Sequence, residues 1–166
     1  MKKFTQYSKQ DIKNIAQTAI KLSKKSEEEL FIVIGHGLND LGLKPSKRNK
    51  ILYERVDTIG GNIRAIKAFG FVENTKALNS IEAKKRGREF SNKFNEIVKS
   101  IICSNKKVND FINGNGNLKL EDVLSYLIPL IIAALGLTAI NPTLLAVIIG
   151  AIGILLKIGF AAYCKI

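Results

Sequence analysis

Few side chains in this sequence are placed to do chemistry. His36 is the single histidine and stands between Gly35 and Gly37 in an apolar stretch. No second imidazole, and no cysteine or acid at ligand spacing, completes a metal site with it. It reads as a histidine packed within a helix. Every arginine follows it, which excludes an Arg-before-His ribonuclease motif. Neither a phosphate-cradling loop nor a dinucleotide fingerprint occurs. The chain therefore reads as a non-enzyme, with no catalytic residue, no metal and no cofactor.

The remaining chemistry is electrostatic. Lys84, Lys85, Arg86 and Arg88 place four positive charges within five residues. Close to an anionic leaflet each is worth about 1 kcal/mol, and the same side chains can grip nucleic-acid phosphates. A solvated helix face is the bland alternative. With four tyrosines and no tryptophan, base-stacking platforms are not suggested, so nucleic acid is not favoured. The net charge of +12 points the same way, towards a polyanion.

Residues 111–122 resemble a degenerate EF-hand or dockerin calcium loop. Asn113, Asn115, Gly116, Leu118 and Asp122 match loop positions three, five, six, eight and twelve of such a loop. Position one, an acidic ligand in those families, is Phe111 here, with Asp110 one residue out of register. Calcium depends on that first carboxylate. The loop therefore reads as a Gly/Asn turn whose Glu121 and Asp122 favour the start of the next helix.

That next helix opens the most informative stretch of the chain. From Val123 to Leu156, thirty-four residues carry no charged side chain. One helix of that length would reach about 51 Å, against a bilayer core about 30 Å thick. Asn141-Pro142-Thr143 breaks the run, because the residue before proline avoids the helical region. Two helices folded back on each other are expected, a transmembrane hairpin. Leu127, Pro129, Leu130, Ile131, Leu135 and Gly136 lie on the first arm, Asn141 and Pro142 at the turn. Leu145, Ile148, Gly150, Gly153 and Lys157 lie on the second. Lys157 would have to snorkel to the headgroups, and the glycines at 136, 150, 153 and 159 allow close helix contact.

In layout the chain resembles the pore-forming colicin domains, basic helical bundles with an uninterrupted hydrophobic hairpin near the end. The comparable segments are Val123–Ile140 and Leu144–Leu156. The resemblance implies a hairpin buried in a resting state and inserted when triggered.

The elements that would position these features are helical. Ser8 and Asp11 signal a helix start, followed by Ile12, Ile15, Ala16, Ala19 and Ile20 on one face. Ser26 and Glu29 form a capping box ahead of a helix with Leu30, Phe31, Val33, Ile34, Leu38 and Leu41, apolar on a wide arc and so a candidate for the central helix of the bundle. A third helix carries Leu52, Val56, Ile59, Ile63 and Ile66, interrupted by Gly60-Gly61. A long fourth, capped by Asn74, carries Leu78, Ile81, Phe90, Phe94, Ile97, Val98, Ile101 and Ile102. Strand signals are weak throughout.

All 14 acidic residues lie at or before Asp122 with 24 of the 26 Lys and Arg, so residues 1–122 carry a formal charge of +10. The organisation expected is a basic helical domain over 1–103, an Asn/Gly-rich linker over 104–122 and a membrane hairpin over 123–166. The N-terminus is basic but meets no apolar signal region. Cys103 and Cys164 are expected to remain unpaired thiols, which fits a reducing cytoplasmic side. The fold class is all-α. The function expected is a membrane-inserted effector of pore-forming, toxin-, phage-defence- or holin-like type. It would act at the inner (cytoplasmic) membrane with the basic domain on the cytoplasmic side. Its partners would be an anionic leaflet, other copies of the chain as a homo-oligomer, and a regulatory protein. The alternatives are a passive anchor for a basic binding domain and a soluble bundle that buries the hairpin as its core.

Overall fold

The computed structural model describes residues 2–41, 43–45, 71–73, 79–137, 139–140 and 142–165. The described residues are mostly helical, as an all-α chain requires. After a short strand β1 (Lys2–Lys3) and a 3-10 turn come α1 (Lys9–Leu22) and α2 (Glu27–Asp40). Strands β2 (Leu43–Pro45) and β3 (Phe71–Glu73) form a small antiparallel pair, Lys44 opposite Val72. Then follow α3 (Ser80–Cys103), α4 (Lys106–Ile112), α5 (Leu120–Ala134), β4 (Ala139–Ile140), α6 (Pro142–Ile158) and α7 (Phe160–Lys165).

Local chemistry sets the helix starts. Ser8 Oγ accepts from the Asp11 amide at 3.0 Å while the Ser8 amide donates to the Asp11 carboxylate at 2.8 Å, a reciprocal box. Ser26 Oγ accepts from the Glu29 amide, and three glutamates occupy the first turn of α2. The long helix α3 starts at Asn79, whose side chain accepts from the Glu82 amide, and not at Asn74. Asn74, Leu78, the seam from Leu52 to Ile66 and Gly60-Gly61 lie outside the described residues. The Asn/Gly segment also holds α4, capped by Asn105, with Val108 fully buried.

The expected transmembrane hairpin is not supported. No helix among the described residues is long and apolar enough to cross a membrane. Helix α5 has 15 residues and α6 has 17, about 22 and 25 Å of helix. Both are packed inside the basic bundle and share one hydrophobic core with α1, α2 and α3. In α6 every residue from Val147 to Leu155 is buried, the longest buried run among the described residues. The apolar surface has left water by covering itself with other helices, which satisfies the same driving force as lipid.

The two arms scarcely meet along their backbones. Helix α5 packs chiefly on α1, and α6 packs on α1 and α2. Helix α1 lies against both because its inner face is narrow: Ala16 and Ala19 are fully buried beside Ile15. Gly153 of α6 faces the same helix with room to spare: a methyl there would make ordinary contact, 3.4 Å from Leu22 Cβ and 3.7 Å from the Ala19 carbonyl.

Candidate functional site

The feature that demands explanation is the enclosed apolar segment and the means by which it is held. Of the residues assigned to membrane insertion, Leu127, Ile131, Leu135, Ile148, Gly150 and Gly153 are buried in the bundle. Leu145 and Pro129 are half-buried, and α5 continues through Pro129. Leu130 is 37% exposed and, with Tyr126 and Ala133, forms the outer face of α5. Gly136 ends α5 with φ at +73°: its amide donates to the Ala133 carbonyl and the Leu137 amide to that of Ile132. That is a Schellman termination. Pro142 takes the first position of α6, where its missing N–H is harmless. Asn141 lies outside the described residues.

Three ties fasten this segment at its edges. At the link between the arms, β1 pairs antiparallel with β4, Lys2 opposite Ile140 and Lys3 opposite Ala139. The uncharged turn is thus tied to two lysines. At the start of α5, Glu121 reaches α1, forming an ion pair with Lys13 at 3.4 Å and accepting from Gln17. Such partly exposed pairs are worth well under about 1 kcal/mol.

The third tie is covalent and corrects the expectation of unpaired thiols. Cys103, the last residue of α3, is bonded to Cys164 in α7, with Cα atoms 5.5 Å apart. Around this bond the end of the chain is folded down. Tyr163 donates to Asn95 Oδ1 at 3.1 Å, and the Phe160 ring meets Phe111 edge-on at 6.0 Å. Burial holds the Tyr163 phenol protonated, pushing its pKa up to about 12. Lys157 donates to the Ser23 carbonyl at the C-terminus of α1, a favourable place for a cation.

The basic cluster does not form one flat surface. At 100° per residue its members spread around α3. Lys84 pairs with Glu28 at 3.5 Å, Arg88 sits over the Phe31 ring at 5.4 Å, and Lys85 is exposed. Within the cluster, Gly87 has a role the sequence reading missed. A methyl there would fall inside the Phe31 carbonyl, and one on Gly35 inside the Ala83 carbonyl. Helices α2 and α3 therefore cross backbone against backbone. The small residues at i, i+4, Ala83 and Gly87, were the available signal.

His36, expected to be packed, is exposed on α2. The loop likened to a calcium site is a turn: Gly114 and Gly116 adopt left-handed backbone, Phe111 faces Phe160, and Glu121 is directed to α1. Among the described residues, no group of three or more His, Cys, Asp or Glu is placed to hold a metal.

No family model, curated protein sequence or solved structure matches the chain.

Proposed function

We propose that this chain is a membrane-perturbing effector folded in a closed state. Helices α1, α2 and α3 cover the apolar pair α5 and α6 until a trigger lets that pair enter a bilayer. One observation carries the reading: nine consecutive buried residues, Val147–Leu155, lie within a segment with no charge from Val123 to Leu156. Once uncovered, that surface has no stable state in water and would move to lipid or to another copy of itself. Insertion would recruit the residues flanking each helix, since α5 and α6 as folded are shorter than a bilayer core. The surplus of basic residues favours an anionic leaflet as the first contact. The proposed location is the cytoplasmic membrane, and the proposed assembly a homo-oligomer joined through the small-residue faces of the inserted helices.

A second reading is favoured by α1 lying against both arms: a helical binding module in which α6 is an ordinary core helix and never leaves. One double substitution separates the two. Leu130 and Ala133 lie on the outer face of α5, so Leu130→Lys with Ala133→Lys leaves the folded bundle intact. In a membrane each lysine costs about 3 kcal/mol near a helix centre. Cells expressing the original chain should depolarise, and cells expressing the double variant at equal level should not. Depolarisation by both would reject insertion of α5, and depolarisation by neither would mean that the closed state holds in those cells.

A further inference from the structure

The disulfide does more than join two helix ends. Cys103 and Cys164 are separated by 61 positions. The covalent ring they close contains α4, α5, α6 and most of α7, and hence the whole uncharged segment. The bond also lies close to the buried helix. Only Gly159–Cys164 separate the end of α6 from it, a leash about 9 Å long while α7 stays helical. Uncovering Val147–Leu155 means withdrawing α6 from α1 and α2 by about a helix diameter, roughly 10 Å. With the bond intact, that withdrawal must unravel α7 and pull out Phe160 and Tyr163, which are 4% and 3% exposed. With the bond open, α7 is a six-residue helix held by side chains alone. Gly159, at φ +84°, already breaks the backbone between it and α6.

We propose that the Cys103–Cys164 bond is a reduction-sensitive latch, opened by a dithiol reductant, that keeps the C-terminal end of α6 docked in the bundle. Both cysteines are half-buried and stand at the edge of the core, not inside it. They are the only two cysteines in the chain, so the electrons must come from outside. One thiolate of the dithiol attacks a sulfur of the bond, forming a mixed disulfide and releasing the other cysteine as a thiolate. The second thiol of the reductant then displaces the remaining cysteine. Two electrons and two protons pass to the protein as two thiols, and the reductant leaves as its disulfide. The latch rests on the proposed role of the apolar segment, since it regulates that segment's exposure.

The test uses the full chain, oxidised or treated with dithiothreitol, and the variant Cys164→Ser. Two quantities are read: hydrogen exchange along the chain, and dye release from phosphatidylglycerol–phosphatidylcholine vesicles. Reduction should raise exchange at least tenfold in α7 and the C-terminal half of α6 and leave the α2–α3 crossing protected. Dye release should accelerate at least fivefold. Cys164→Ser should match the reduced protein and be indifferent to dithiothreitol. Faster local exchange without dye release would uphold the latch and sink the membrane role. Equal dye release from oxidised and reduced protein would uphold the membrane role and overturn the latch. Unchanged exchange, or exchange rising equally across every helix, would also overturn the latch.

Discussion

Helices α2 and α3 meet backbone to backbone, whereas the backbones of the apolar arms α5 and α6 scarcely meet. The first contact exists because Gly35 and Gly87 carry no Cβ and each lies against a carbonyl of the opposite helix. Such a contact has no slack: close-packed main chain cannot rotate away as a side chain can. The second pair is held differently. Large aliphatic side chains fill the space around α1, and the ends are secured by a two-residue strand, a surface ion pair and one disulfide. One region is therefore rigid by construction, while the other is retained by burial and a few ties. If any part of this bundle leaves the rest, it is the second.

The largest effect should come from the tie. A covalent loop of 61 positions restricts the unfolded chain by roughly 4 kcal/mol in the loop-entropy model. Reduction should lower the denaturation midpoint in urea accordingly, and an unchanged midpoint would mean that the bond adds nothing to the stability of the closed state. Next, Gly35→Ala and Gly87→Ala should each cost about 3 kcal/mol or more, because the added methyl meets main chain. Equilibrium unfolding measures this, and a loss under about 1 kcal/mol would erase the distinction between the regions.

The glycines of α6 sharpen the contrast. At Gly150 a methyl would meet the Ile34 side chain, 2.8 Å from Cγ1, which can give way. A cost of about 1–2 kcal/mol is expected there. At Gly153 the space is ordinary, so Gly153→Ala should be neutral or gain up to about 1 kcal/mol from helix propensity. A large loss at Gly153 would show α1 and α6 to be locked as tightly as α2 and α3.

Tyr163 gives a pH signature of the docked end. Its folded pKa, about 12, lies above the unfolded value of 10. The unfolded chain then loses its proton first, so the contribution is present below pH 10 and declines as pH rises towards 12. The decline should approach about 2 kcal/mol. Ultraviolet titration should show a late-ionising phenol that Tyr163→Phe removes and reduction shifts downward.

Much of this architecture was legible in the chain. Ser8 and Ser26 announced α1 and α2 because a cap is a local event, decided within four residues. The division of the uncharged run into two helices near Pro142 was equally local. Helix α4 was obscured because seven residues are too few to show helical periodicity, and its start is set by Asn105 and its inner face by the buried Val108. The pairing of Cys103 with Cys164 was not legible, because spacing says nothing about which chain ends meet. The Gly35–Gly87 crossing was only half visible, since small residues at helical spacing occur wherever helices come close.

By itself the sequence determined that this chain is helical, that it is strongly basic, and that residues 123–156 must leave water. It could not determine where they go. An uncharged helix is accommodated by lipid and by a protein interior for the same reason: each removes apolar surface from water and leaves the helix to satisfy its own backbone. The choice depends on whether other helices offer enough complementary surface. Only the tertiary structure supplies that information, in the narrow alanine face of α1 set against both arms, the glycine fit of α2 on α6, and the bond that closes the ring around them.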